Sequence, residues 1–366
     1  MYKRSLLSAA ILLLVAQPAC AEIVLGKVGN TEVKFEGVVQ ADYDFFSSDR
    51  AQIDDQSEVR RAELILKGKT GPFDWVAGYD AKADKWLDLN ARYAINDKIA
   101  VRFGQFKQPI GLEELGSVRY NDFVSKAMIT NSFAVSRRLG AQFETSGKQW
   151  TLNASAFGAE LTRNRAHGSG YGLRGTYTPV LQDADTVHLG LSYVNYDTPD
   201  DTKSFSARPA DLSLVRLINT GGLLRADRVS TVGLEAAWLH GPFKLQGEYM
   251  QTQVKRYAPS THFDANGWYV SGLWNVGGQT WGYKNGVVKT PTTPDADMWQ
   301  LGVRYDNLDL DDGSVLGGTE KDLTVAVNYY WRANIKVALD YTKVSSDRRG
   351  VSDDPNVLQA RLQLYW

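Results

Sequence analysis

Four histidines (His167, His188, His240 and His262) and one cysteine (Cys20) are the only imidazoles and thiol in the chain. None of the histidines has a second ligand or a nucleophile at motif spacing, so no metal centre or hydrolytic dyad is written locally. Gly68-Lys69-Thr70 has the tail of a phosphate-binding loop, but Glu63 stands where that loop needs its first glycine. Asp309 to Gly313 is acidic enough for calcium and reads better as a solvated loop. What the chain has in quantity is charge, 41 Lys and Arg against 42 Asp and Glu. Much of it falls on every second residue. Arg61, Glu63 and Lys67 share a parity opposite Ala62, Leu64 and Leu66. Arg174, Lys244, Arg304 and Lys336 sit in the same way, with Asp80, Glu144, Glu235, Glu248 and Asp340 on matching faces. Charges ranked along a wall bind and pass hydrated ions; they do not make or break bonds.

The elements that hold these residues alternate with period two. Phe35, Gly37, Val39, Ala41, Tyr43 and Phe45 share one face, and the pattern recurs at Phe73–Ala81, Val187–Tyr193, Val232–Trp238 and Leu323–Trp331. Period two repeated this often means long, half-buried strands. Runs near ten residues, aromatics gathered at strand ends, and short turns alternating with long loops favour a membrane barrel over a soluble sandwich. Sixteen strands are expected, starting near 34, 57, 73, 86, 98, 137, 149, 169, 185, 229, 242, 266, 297, 322, 334 and 356. Tight turns fall at 71–72, 96–97, 147–148, 241–242 and 332–333. Polar loops are expected at 48–56, 108–136, 159–168, 198–228, 256–265, 309–321 and 346–355. The fold class is therefore all-β, a 16-stranded antiparallel transmembrane β-barrel with inward-folded long loops, and the course of 108–136 sets the pore diameter. Facing lipid at mid-membrane costs an Arg or Lys about 2–4 kcal/mol, which assigns the charged parity to the lumen. The last strand ends on Trp366, in parity with Leu358, Ala360, Leu362 and Leu364, as an assembly signal would.

Lys3 and Arg4, an apolar run from Leu6 to Ala16, and Ala19-Cys20-Ala21 form a secretory leader over 1–21, leaving 22–366 as the barrel. Cleavage removes the one cysteine. Near-balanced charge leaves no basic footprint for nucleic acid, and no cofactor is called for. The expected location is a bacterial outer membrane, with outer-membrane lipid and the barrel assembly machinery as partners.

Phe35-Glu-Gly-Val-Val-Gln-Ala-Asp42, Val59-Arg-Arg-Ala-Glu63, Arg102-Phe-Gly-Gln-Phe106 with Gly111-Leu-Glu113, Val187-His-Leu-Gly190 and Trp299-Gln-Leu-Gly-Val-Arg-Tyr305 resemble, in order and in register, the phosphate-selective porin O and P family. The resemblance implies a homotrimeric channel for small inorganic anions, phosphate or polyphosphate among them. It implies an arginine ladder in which Arg60 and Arg61 match the wall pair and Arg208 and Arg216 the mouth arginines, with Arg225 and Arg228 nearby. Asp88 matches the constriction aspartate, Lys284 a periplasmic lysine, and Lys289 lies near another. Three positions depart from the pattern. Glu63 replaces an aromatic, Glu114 replaces a lysine, and Lys107 stands for an aromatic or an acid. Two added carboxylates oppose phosphate, so a modest anion preference is expected, strengthened by Glu114→Lys. A weakly selective general porin, a structural barrel or adhesin, and a wall-mounted hydrolase are the competing readings.

Overall fold

The computed structural model describes residues 23–162, 168–290 and 296–366. The leader expected over 1–21 and His167 lie outside the described residues.

Sixteen strands form the wall. They are β1 Thr31–Ser47, β2 Gln56–Thr70, β3 Phe73–Asp80, β4 Lys85–Ala94, β5 Ile99–Lys107, β6 Arg137–Ser146, β7 Trp150–Phe157 and β8 Gly170–Gln182, followed by β9 Asp185–Asp197, β10 Ala226–His240, β11 Phe243–Arg256, β12 Phe263–Asn275, β13 Met298–Asp312, β14 Val315–Arg332, β15 Ile335–Arg348 and β16 Asn356–Tyr365. Each pairs antiparallel with the next, and β16 pairs back onto β1 from Val38↔Tyr365 to Ser47↔Asn356, which closes the ring. Closure removes the open edges that a sheet otherwise exposes. Below Val38 the edge of β1 is covered instead by the strand Ile23–Val28.

Polarity runs inside-out. On β11, Phe243 and Leu245 are exposed while Lys244, Gln246 and Glu248 are buried. Trp150, Trp238, Trp274, Trp299 and Trp331 all stand exposed at the short-turn end, and Tyr43, Phe45, Trp86, Tyr305 and Tyr341 near the other. Two aromatic belts flanking an apolar band are what lipid interfaces select.

Two expectations about connections are corrected. Residues 309–321 do not form a loop. β13 runs to Asp312 and β14 starts at Val315, with the turn at Gly313 (φ 56°). Here the alternation is reversed: Leu308 and Leu310 turn inward onto the folded loops while Asp309 and Asp311 face outward, so the ladder continues past the end of the apolar outer band. At the end where only short turns were expected, 276–297 is long and carries a hairpin, Gly282–Lys284 paired with Val287–Lys289.

Two long connections fold into the lumen. The first, 108–136, carries α1 Leu112–Leu115 and α2 Met128–Phe133; the second, 198–225, carries two short ladders, Thr202–Lys203 with Leu223–Leu224 and Ser206–Ala207 with Ile218–Asn219. They bury Ile129, Phe133, Phe205 and Ile218 against Met250, Phe263 and Leu308 of the wall. Each such side chain contributes about 1.5–3 kcal/mol, and together they fill one side of the lumen.

Candidate functional site

The wall charges expected to line open water instead fasten the loop 108–136. Glu248 accepts hydrogen bonds from the backbone N–H groups of Leu112 (2.7 Å) and Glu113 (2.8 Å), and Asp340 accepts from Val124 N–H (2.7 Å). Lys244 pairs with Asp122 at 2.5 Å, Lys336 donates to the Asn121 carbonyl at 2.6 Å, and Arg119 pairs with Glu36 at 2.6 Å. A buried loop carries backbone groups that need partners, and the polar face of the barrel supplies them.

Beside this loop, β2 to β6 and the loop tips bring most of the expected residues together. Adjacent strand residues point to opposite faces, yet Arg60 and Arg61 both reach the lumen. A bulge makes this possible: Gln40 pairs with Arg61 and Ala41 with Val59, so Arg60 is the extra residue. Arg60 meets Asp211 at 3.2 Å, and Arg61 meets Glu63 at 3.4 Å. Asp88 does not stand alone, because Arg137 grips its Oδ2 through Nε (3.0 Å) and Nη2 (2.7 Å). Lys107 donates to the carbonyls of Glu114 (2.6 Å) and Gly116 (2.7 Å) and so caps α1. Glu114 is buried against Lys126 at 2.5 Å. Burial pushes the Glu114 carboxyl up, but Lys126 and then Lys107 outweigh it and hold it at about 2. Neither added carboxylate is therefore a bare negative charge, and a lysine at 114 would join Lys107 and Lys126 with no counter-charge.

At the mouth, Arg60, Lys126, Arg208, Arg216 and Arg304 line a cavity of about 250 Å³ together with Asp211, Asp322 and Asp340. Arg208 and Arg216 are exposed and form no ion pair among the described residues. Arg225 is exposed in the left-handed region (φ 62°), and its carbonyl accepts from Tyr257 N–H. Arg228 stands apart, pairing with Asp197 and donating to Asn195 (2.5 Å). At the opposite end, Lys284 is exposed on the hairpin, and burial with Lys284 and Lys67 close by pulls the Lys289 ammonium down. The hairpin is held in the lumen by Tyr283, whose hydroxyl meets Thr178 (2.9 Å) and His188 Nδ1 (2.7 Å), and by Arg174, which donates to the Gly286 carbonyl at 2.7 Å. Trp366 exchanges backbone hydrogen bonds with Gly37 (3.1 and 3.2 Å). Its indole lies where a Cβ on Gly37 would be, 2.1 Å from the ring.

The family model described as phosphate-selective porin O and P matches residues 33–366. The chain belongs to this family. Porin O of Pseudomonas aeruginosa is 24 % identical over 94 % of this chain and 92 % of its own length. Among solved structures, an anion-selective porin from Comamonas acidovorans superposes with a TM-score of 0.61 at 12 % identity, covering 92 % of this chain and 100 % of that one. The outer-membrane protein OmpT of Vibrio cholerae in a trimer form gives 0.61 at 10 % identity over 92 % and 100 %. The protein is thus an outer-membrane channel of bacteria.

Three cations of this porin in or beside the loop 108–136 escape a reading of the sequence. Lys126 lies in a loop without periodicity, and its role depends on where the loop lands. Arg137 opens β6 and reaches Asp88 two strands away, a pairing that no local spacing encodes. Lys85 starts β4 and is half-buried. It forms no ion pair among the described residues. Its one available signal was its place three residues before Asp88.

Proposed function

We propose that the channel passes small inorganic anions, phosphate among them, with a modest preference over cations. One observation carries this reading: five cationic side chains face three carboxylates around the mouth cavity, and two of the arginines are unpaired. The path runs from Arg208, Arg216 and Arg60, past Arg61, Lys85 and Arg137 at the narrow zone, to Lys289 and Lys284 at the periplasmic hairpin, with Arg225 and Arg228 on the outer rim. Guanidinium forks suit phosphate oxygens, and a series of moderate sites lets an ion leave as well as bind. The pairs Arg61–Glu63 and Arg137–Asp88 shape the passage and add little net field, which makes the preference modest. The solved anion-selective porin from Comamonas acidovorans, alike in fold, supports the same sign. The reading extends to a homotrimer, supported by the trimer form of the OmpT neighbour, to removal of residues 1–21 on export, and to insertion by the barrel assembly machinery.

Reversal potential across a planar bilayer in a potassium chloride gradient tests the proposal. An anion channel gives the chloride sign, and that sign weakens when Arg208 and Arg216 are both replaced by alanine. A potassium-selective wild type, or a reversal potential unmoved by the double substitution, favours a weakly selective general porin.

A further inference from the structure

A second cavity of about 220 Å³ opens at the mouth and shares no lining residue with the one described above. The strand Ser206–Ala207 lines the first cavity and Lys203 and Ser204 line the second. Phe205 lies between them, buried against Phe133 and Phe263. The second cavity is lined by Arg138 of β6, Phe157 of β7, Tyr196 of β9 and Lys203, with Asp197 at its edge.

Its two cations are uncommitted. Lys203 has no carboxylate partner among the described residues and rests its ammonium over the rings of Phe205 (4.9 Å) and Tyr196 (5.6 Å). Arg138 is half-buried and spends one N–H on the Arg137 carbonyl (2.8 Å), with Glu160 acting on it only beyond ion-pair distance. Asp197 adds no free negative charge, because Arg228 and Ser169 (Oγ 3.0 Å, N 3.1 Å) already occupy it. Two unpaired cations in a half-closed space call for a multivalent oxyanion, and the rings of Phe157 and Tyr196 call for a flat apolar body. A space of this size takes one small ring and one acid group.

We propose that this cavity is a binding site for an aryl phosphate monoester, with the phosphate between Arg138 and Lys203 and the ring against Tyr196 and Phe157. The site stands apart from the conduction path and does not need the pore to be anion-selective. Calorimetric titration of the folded, detergent-solubilised protein with phenyl phosphate tests it, in an Arg208→Ala/Arg216→Ala background that removes the free arginines of the other cavity. Phenyl phosphate should bind saturably, at least tenfold more tightly than inorganic phosphate. Arg138→Gln with Lys203→Gln should weaken it at least tenfold. Tyr196→Leu, which keeps both charges, should weaken phenyl phosphate and leave inorganic phosphate unchanged, and it serves alone if the double variant does not fold. Equal affinity for the two probes, absence of saturation, or indifference to Tyr196→Leu would overturn the proposal.

Discussion

Arg61 and Glu114 show how a partner changes what a charge does. Arg61 faces the lumen beside Glu63, so Arg61→Ala leaves a buried carboxylate bare as well as deleting a cation. Both changes act in the same direction. The anion-to-cation permeability ratio should fall further than with Arg208→Ala, where no acid is uncovered; reversal potentials of the two variants decide the order. Glu114→Lys should destabilise the fold by roughly 3–5 kcal/mol, the usual cost of breaking a buried pair, and its denaturant midpoint relative to wild type measures this. Because the folded Glu114 carboxyl titrates at about 2, below its ordinary 4.5, its contribution to loop stability is complete above about pH 4.5 and is lost as the pH falls toward 2. Glu114→Gln should therefore flatten that acid limb, as read from thermal unfolding between pH 2 and 6, about the range of the two values.

Among the elements, the hairpin 282–289 carries the clearest expectation. It enters from the periplasmic end on Tyr283, Arg174 and a buried Trp281 packed in one apolar cluster with Phe123 of the long loop. Replacing 280–290 by a short glycine-serine turn should raise single-channel conductance severalfold, while Tyr283→Phe should keep the mean conductance and add flicker. The wall strands were legible in the sequence because lipid on one side and water on the other impose alternation from Phe35 to Trp366. The lumen was not. Arg60 reaches it through a bulge, which breaks the parity rule on which its face would be assigned. Ile129 and Phe205 lie in segments of mixed pattern whose apolar residues meet only after both loops have folded inward. The hairpin is written in Gly277-Gly278 and Trp281, which look like any loop until the neighbouring strands are placed around them.

Over the whole molecule, the seam between β1 and β16 decides whether there is a barrel at all. Gly37 leaves the space in which the Trp366 indole lies, so Gly37→Ala sets a methyl group against the ring. The cost should be about 1–3 kcal/mol and appear as a lower yield of the folded, heat-modifiable species on a gel. Removing Trp366 should have a larger effect of the same kind. The seam also has a meaning in time. Its two halves are among the earliest and the latest parts of the barrel to leave the ribosome, with some three hundred residues of about 3.3 Å rise each between them when extended. No partial product can complete the ring. A message cut short, or a ribosome that stalls, yields a sheet with a raw edge at β1 that stays open to proteases and to other strands. Trp366, docked on Gly37, thus reports that the strands between them have been made.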